Sequence, residues 1–209
     1  MYLTQMCFDK KNRRVYELMG DCEKMHKFVL SGFPDVEGSE ARRSLAVLYR
    51  TDFTDRYLKL YVQSKIRPDY QHNTALLEDE PKTICIDPLR DRIHNGMILT
   101  VSVFANPIVR KKFAPEEKHN HKVFLKKEEE RKVWLKRQFA SGGAQLLGCR
   151  EEAEEIVTGW RNGNHLQFPG IRWSCSIRIE DEEKFWNLFT DGVGSERAYG
   201  FGMIQIWRM

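Results

Sequence analysis

The sequence lacks a Cys-x-x-Cys pair, and its five cysteines are an odd number scattered along the chain. That usage indicates neither a zinc site nor a disulfide framework, so we expect mostly small buried thiols. The sequence also lacks any apolar run near the roughly 18 residues that a membrane helix needs. Its first residues, MYLTQMCFDKK, contain no basic segment followed by an apolar one, so no signal peptide is indicated. These absences predict a cytoplasmic protein without a membrane partner.

Two familiar phosphate-binding motifs are also missing. The glycine-rich segment DGVGSERAYGFGMIQI, residues 191–206, has no Gly-Lys-Ser/Thr and is therefore not a Walker loop. It follows a predicted helix and enters a predicted strand, which is the reverse of a dinucleotide-binding fingerprint. Its glycines either let the backbone approach a phosphate chain or make a tight connection with positive φ angles. The candidate RNA-binding residues here are Gly192, Gly194, Ser195, Arg197, Gly200 and Gly202.

What the chain does contain is enough apolar sequence for a core and enough charge for a solvated surface. Hydrophobic residues make up 41% of the 209 residues, charged residues 31%, and the formal net charge is +4. The length allows one large domain or two of about 100 residues each.

The basic run RKKFAPEEKHNHKVFLKK, residues 110–127, suits a polyanion such as nucleic acid, or it is a solvated loop. His119 and His121 alone are too few ligands for a metal site, so we predict no metal and no cofactor.

Hydrophobic periodicity predicts a similar order of elements in each half of the chain. In the first half it predicts a helix at 22–31 and strands at 2–8, 43–50, 56–64 and 96–107. In the second half it predicts helices at 126–143 and 182–189 and strands at 144–149, 154–160, 171–181 and 200–207. The segment 161–170 is a predicted hairpin tip, because it contains Asn-Gly and Pro-Gly.

This order predicts an α+β protein of two tandem ferredoxin-like (RRM-like) domains, each of the βαββαβ kind. We place the N-terminal domain at 1–107, a basic connection at 108–127 and the C-terminal domain, with the glycine-rich segment, at 128–209. Sheets of this kind often carry RNA, although the fold alone does not establish a function.

Several segments in the same order resemble one known family. They are MYLTQ, MHKFVLSGFP, FANPIVRK, VFLKKEEERKVWLKRQF and GVGSERAYGFGMIQI. Together they resemble CasE, the family of type I-E CRISPR endoribonucleases that process precursor CRISPR RNA. The resemblance implies cleavage of the repeat RNA at the base of a stem-loop, without metal. The 2′-hydroxyl attacks the phosphate and leaves a 2′,3′-cyclic phosphate and a 5′-hydroxyl. The enzyme then stays on the mature crRNA with the other subunits of the Cascade complex.

His26 is the catalytic residue that this resemblance implies, although a helical histidine in isolation is more often structural. Its imidazole titrates near neutrality, so it could take the 2′-hydroxyl proton or protonate the leaving 5′-oxygen. The family has a tyrosine three residues earlier, where this chain has Glu23. That carboxylate would repel a phosphate unless it is paired, for example with Lys24 or Lys27.

The change at Glu23 leaves the second catalytic group open. Tyr16 is a candidate for the missing phenol, and Lys27 is a candidate to neutralise the transition state or else a solvated lysine. The change is also compatible with a second function, in which the protein is a non-catalytic RNA-hairpin-binding subunit of the same complex. A ferredoxin-like RNA-binding or scaffold protein unrelated to CRISPR is a third possibility.

The resemblance also implies that basic residues elsewhere hold the phosphates of an RNA stem. Three of them follow the Asn106-Pro107 corner, and two flank the predicted hairpin tip. They are Arg110, Lys111, Lys112, Arg161 and Arg172. Each is alternatively a solvated surface cation, and we expect the five tryptophans mainly in the core or in interfaces.

Overall fold

A computed structural model describes residues 1–34, 45–53, 58–112 and 120–208. The β-strands in chain order are β1 Tyr2–Phe8, β2 Leu48–Phe53, β3 Leu58–Ser64, β4 Lys82–Cys85, β5 Ile98–Ala105, β6 Ile108–Lys111, β7 His121–Phe124, β8 Ala144–Arg161, β9 Asn164–Ile179 and β10 Ile204–Arg208. The α-helices are α1 Arg13–Met19, α2 Cys22–Leu30, α3 Asp87–Arg90, α4 Glu128–Ser141 and α5 Glu182–Asp191. Short 3-10 helices cover Gln71–Leu76 and Arg197–Tyr199.

Two four-stranded antiparallel sheets form the body of the protein. The first has the strand order β2-β3-β1-β4, and the second has the order β10-β5-β9-β8. In each sheet the first and third strands of the unit lie in the centre and the second and fourth lie at the edges, as in a ferredoxin-like βαββαβ unit. The prediction of two tandem ferredoxin-like units is therefore confirmed. The strands β6 and β7 form a separate two-stranded sheet.

The structure corrects the predicted boundary at residue 107. The strand predicted at 96–107 was expected to close the first domain, but β5 pairs with β9 and β10 in the second sheet. The fourth strand of the first sheet is instead β4, which pairs with β1 over only four residues and was not predicted. Its side chains are mostly exposed, so it carries little hydrophobic pattern.

A second correction concerns the long hairpin of the second sheet. The segments 144–149 and 154–160 were predicted as two strands around a turn, but they form the single strand β8. Register shifts occur between Leu146 and Gly148 and between Glu151 and Ala153, which is where the apolar alternation is interrupted. The hairpin turns at Asn162 and Gly163, both with positive φ. The result is a hairpin long enough to reach the first domain.

Each sheet buries one face against its own helices. One core cluster contains residues of β1, β2 and β3 together with α1 and α2, and a larger one contains residues of β5, β8, β9 and β10 together with α4 and α5. A smaller cluster, which we call the interface cluster, connects elements of both halves. It consists of Cys22, Phe104, Tyr199 and Phe201, with Val157, Leu166, Phe168 and Ala198 packed against it. No helix in the described part of the chain is long and apolar enough to cross a membrane.

An ionic network adds polar contacts between the two sheets. Asp52 on β2 accepts hydrogen bonds from Arg50 at 2.8 Å and from Arg172 of β9 at 3.2 Å. Arg50 also donates to Ser102 on β5 at 2.7 Å, and its side chain is only 5% exposed. Burial lowers the pKa of Arg50, although Asp52 acts in the opposite direction. The carboxylate of Asp52 therefore compensates a guanidinium that has lost most of its water.

Removing Asp52 should destabilise the protein strongly. We expect Asp52→Ala to lower the free energy of unfolding by about 3 kcal/mol, because it takes a partner from a buried cation. Urea denaturation measures the change. Glu128→Ala is the matched control, since it removes a carboxylate from an exposed pair with Lys132 and should leave the midpoint almost unchanged. Similar losses in the two variants would contradict this account of the interface.

Candidate active site

The helix α2 carries His26 at the border between the buried and exposed faces. Asp21 caps its N-terminus by accepting hydrogen bonds from the backbone N–H groups of Glu23 and Lys24, at 2.9 and 3.2 Å. Buried residues of the helix are Cys22, Met25, Phe28 and Val29. His26 is half-buried, which leaves part of the imidazole accessible from solvent. The predicted helix and its apolar face are confirmed.

Tyr199 of the second domain contacts the imidazole ring. The two ring centroids lie 5.9 Å apart with an interplanar angle of 68°, an edge-to-face arrangement. Tyr199 ends the 3-10 helix Arg197–Tyr199 within the glycine-rich segment. The segment therefore contributes an aromatic side chain to the surroundings of His26.

Hydrogen bonds connect Tyr199 to one residue from each domain. Arg161 Nη1 donates to Tyr199 Oη at 3.4 Å, and Tyr199 Oη donates to Glu23 Oε2 at 3.1 Å. Burial is the largest cause that raises the pKa of Tyr199, and Glu23 raises it further, whereas Arg161 lowers it. The phenol therefore stays protonated at neutral pH and remains a donor to Glu23. The hydrogen bond to Tyr199 is the main cause that raises the pKa of Arg161.

The strand β8 runs close against the N-terminus of α2. A Cβ atom on Gly159 would lie 2.7 Å from Cys22 Sγ and 2.8 Å from Asp21 Oδ1. The backbone N–H of Trp160 donates to Asp21 Oδ1 at 3.4 Å. Burial raises the pKa of Cys22 to about 11, so this thiol stays protonated and apolar at neutral pH. The close approach brings Arg161, two residues further along the strand, to the hydroxyl group of Tyr199, which is also bonded to Glu23.

The two other predicted catalytic residues lie on the surface. Lys27 directly follows His26 and is exposed. Tyr16 lies on α1 and is 61% exposed. The phenol in contact with His26 belongs to Tyr199, which sequence reasoning did not single out. The hydrogen bond partner that the structure gives the Glu23 carboxylate is likewise Tyr199, where the sequence suggested Lys24 or Lys27.

The glycines of the glycine-rich segment face other parts of the protein. Four of them have positive φ between 77° and 89°: Gly192, Gly194, Gly200 and Gly202. A Cβ atom on Gly192 would lie 3.0 Å from the Leu48 side chain, and one on Gly200 would lie 3.0 Å from the Tyr49 ring. The sequence left open whether the glycines approach a phosphate chain or form a tight connection. For the buried glycines, these contacts favour the tight connection.

The polar residues of the same segment have partners within the protein. Ser195 Oγ donates to Asn106 Oδ1 at 3.4 Å. Arg197 donates from Nη1 to the backbone oxygen of Asp191. Both side chains are half-buried, so each still has an accessible part.

The remaining basic candidates fall into two groups. Arg110 and Lys111 lie at the exposed end of β6, and Lys112 follows them and is also exposed. Arg172, in contrast, donates to Glu155 at 3.0 Å and to Asp52, and its side chain is only 18% exposed. Its charge is thus compensated within the protein, and we assign it to the interface between the sheets.

Two further predictions concern metals and tryptophans. His119 lies outside the described residues, and among the described residues no group of three or more potential ligands is placed to hold a metal ion.

Trp134, Trp173 and Trp186 are buried, but Trp160 and Trp207 are 60% and 67% exposed. Trp160 lies on the hairpin next to Arg161 and packs on His165, with ring centroids 4.7 Å apart. The hairpin therefore presents an exposed tryptophan, in contrast to the three buried ones.

The packing of β8 on α2 predicts a specific sensitivity at residue 159. Gly159→Ala should lower the free energy of unfolding by about 1–3 kcal/mol, because the added methyl group must displace Asp21 or Cys22. Urea denaturation measures the loss. Gly148→Ala on the same strand is the control, since no atom lies within 4 Å of the position of its Cβ. An unchanged midpoint for Gly159→Ala would show that the two elements are not in close contact.

Comparison with known proteins gives a family match over almost the whole chain. A sequence model of the family described as CRISPR associated protein matches residues 1–208. A search of the curated proteins found no match.

Solved structures share the fold over the full length. Cse3 of Thermus thermophilus, bound to an RNA representing a pre-cleavage complex, superposes with a TM-score of 0.79 at 19% identity and covers 98% of each chain. Cas6e from Escherichia coli K-12 gives a TM-score of 0.71 at 19% identity, with 100% of both chains covered. A chain of a CRISPR RNA-guided surveillance complex gives 0.73 at 20% identity, again with full coverage of both chains. At these identities the likeness establishes a common fold.

Proposed function

The chain belongs to the CRISPR-associated protein family, and from that premise we propose that it is an endoribonuclease that processes CRISPR repeat RNA. It cleaves the repeat at the base of a stem-loop and needs no metal ion or cofactor. It then stays bound to the mature crRNA as a cytoplasmic subunit of a type I-E Cascade complex. Family membership argues against the third possibility, a protein unrelated to CRISPR.

The observation that carries this proposal is the position of His26 between the two domains. The half-buried imidazole contacts Tyr199 and lies on the same helix as Glu23, which is hydrogen bonded to Tyr199. Arg161 adds a permanent positive charge at the same place. An ionisable ring beside a guanidinium suits a reaction in which protons move and negative charge grows on a phosphate.

The reaction has one bond made and one bond broken at phosphorus. The 2′-hydroxyl loses its proton and its oxygen bonds to phosphorus, while the bond from phosphorus to the 5′-oxygen breaks. The leaving 5′-oxygen takes up a proton, which leaves a 2′,3′-cyclic phosphate and a 5′-hydroxyl. His26 performs one of the two proton transfers, and Lys27 and Arg161 stabilise the negative charge of the transition state. Because the nucleophile belongs to the RNA, the protein needs to supply only acid–base groups and cations.

The solved relatives are consistent with an RNA substrate and with assembly. The Thermus thermophilus protein is described as bound to an RNA in a pre-cleavage complex, and another relative is part of an RNA-guided surveillance complex. The alternative is a subunit that binds the RNA hairpin without cutting it, since Glu23 stands where the family has tyrosine. We favour the enzyme because a phenol is present beside His26, although it comes from another element.

Candidate RNA contacts are distributed over several surfaces. Arg161 lies on the hairpin that packs against α2 and donates to Tyr199, the residue whose ring packs on His26. Arg110, Lys111 and Lys112 form a separate exposed cluster at the end of β6. Within the glycine-rich segment, the accessible parts of Ser195 and Arg197 are better placed for a phosphate than the buried glycines. Contacts of this kind read the phosphate backbone of the stem and make binding dependent on salt.

The first test is cleavage of the repeat hairpin of the host RNA in EDTA. Wild type should cut it and leave a 2′,3′-cyclic phosphate, and His26→Ala should bind equally well but cut about 10²–10⁴-fold more slowly. The control is His72→Ala, which removes an exposed histidine of the same domain and should cut at the wild-type rate. If both wild type and His26→Ala bind tightly and neither cuts, the protein is the non-catalytic subunit.

The second test concerns the exposed basic cluster at the end of β6. Changing Arg110, Lys111 and Lys112 together to alanine should weaken binding to all hairpins similarly. It should also reduce the slope of log affinity against log salt by about 1 for each residue that contacts a phosphate. A variant with Lys65, Arg67 and Arg92 changed to alanine loses the same charge from other exposed positions. Equal slopes for these two variants would contradict a specific role for the cluster.

A further inference from the structure

We propose that Tyr199 is a positioning residue for His26, held in place by hydrogen bonds to Arg161 and Glu23. The inference rests on the proposed cleavage of RNA at His26. It assigns a role to a side chain of the second domain that neither the motifs around α2 nor the glycines of the glycine-rich segment indicate.

The ring of Tyr199 is confined by contacts on several sides. It stacks on Phe168 of β9, with centroids 5.0 Å apart and an interplanar angle of 15°. Its other contacts are the edge-to-face packing on His26 and the two hydrogen bonds of its hydroxyl group. The residue as a whole is only 9% exposed. A ring with so few alternative rotamers limits the orientations open to the imidazole beside it.

The backbone on both sides of Tyr199 is also constrained. Glu196 before the 3-10 helix has φ of 57°, and Gly200 after it has φ of 89°, both in the left-handed region. Glu196 forms an ion pair with Lys122 of the small sheet at 2.5 Å. Gly200 lies directly against the buried ring of Tyr49. The positive φ angles of the segment thus serve to turn the chain so that Tyr199 points to α2.

The hydrogen bonds form a chain with one direction, from Arg161 through the phenol to Glu23. Because the guanidinium has only N–H donors, the phenol oxygen is its acceptor, and the phenol proton is left for the carboxylate. Glu23 would otherwise present an unpaired negative charge close to the reacting phosphate. Its bond to Tyr199 and the nearby charge of Arg161 offset that repulsion. The arrangement explains how a carboxylate is tolerated one helical turn before His26.

The test compares the loss of one hydroxyl group at two tyrosines. Single-turnover cleavage of the repeat hairpin at saturating protein gives the rate, and a separate titration gives the Kd for the RNA. Tyr199→Phe keeps the ring and its stacking but removes both hydrogen bonds, so it should cut about 10-fold or more slowly. Its Kd and its unfolding midpoint should stay within about 2-fold and a few degrees of wild type. Tyr2→Phe, which removes the hydroxyl of a half-buried tyrosine on β1, is the control and should cut as wild type does.

A double-mutant cycle separates positioning from a general structural role. Glu23→Gln keeps the size of the side chain but weakens the bond from Tyr199, and it should slow cleavage on its own. If the two residues act through one hydrogen bond, Tyr199→Phe with Glu23→Gln should be no slower than the slower single variant. Rate losses that simply multiply would overturn the coupling. Glu23→Gln also tests the proposal by itself if Tyr199→Phe does not fold.

The outcomes distinguish this inference from the proposed function. Equal rates for wild type and Tyr199→Phe, with His26→Ala inactive, would overturn the role of Tyr199 and leave the enzyme intact. A wild-type protein that binds the hairpin and does not cut it would overturn both. A slow Tyr199→Phe variant with unchanged Kd, together with the non-multiplying cycle, is the result that supports the inference.

Discussion

The close approach of β8 to the N-terminus of α2 is the contact on which the candidate site depends. Gly159 leaves no room for a side chain against Cys22, and Asp21 both caps the helix and accepts a hydrogen bond from the backbone of β8. Because the contact involves backbone and short side chains, small displacements would be costly. It places His26 and Glu23 of the first domain beside Arg161 and Tyr199 of the second. Neither domain alone contains the full arrangement.

Other interactions keep the two domains in this relation. In the interface cluster, Cys22 of α2 packs with Phe104 and Phe201 of the second domain, whose rings stack with centroids 4.6 Å apart. Arg172 packs over the Phe104 ring, at 4.9 Å from its centroid, while it pairs with Asp52 across the sheets. Apolar packing and charge compensation thus act at neighbouring positions of one interface. A site assembled from two domains needs such an interface, since acid–base catalysis depends on short and stable distances.

The glycine-rich segment illustrates how one pattern can serve two purposes. Its glycines suggested either a phosphate cradle or a tight turn, and Gly192 and Gly200 face protein side chains. The same turns direct Tyr199 to His26. The functional importance of the segment therefore lies in the aromatic residue between the glycines. The composition of the segment is visible in the sequence, but the tertiary structure decides which of its side chains points to α2.

What the sequence by itself determined is the local structure and the fold class. The apolar face of α2, the strand β1 and the repeated βαββαβ order are all visible in short windows, since helix and strand periodicity are local properties. His26 and Arg161 could be selected as candidates through the family resemblance. The strand β4 could not be predicted from the sequence, because a short and exposed edge strand has almost no hydrophobic pattern.

Only the tertiary structure decided which distant residues meet. Strand β5 was assigned to the wrong domain because pairing with β9 and β10 depends on contacts far along the chain. Glu23 and Tyr199 are separated by 176 residues and still share a hydrogen bond. Arg172 looked like a surface cation and is instead an interface residue, because carboxylates from β2 and β8 converge on it. Contacts between such distant residues follow from how the two sheets pack, and no local sequence pattern encodes them.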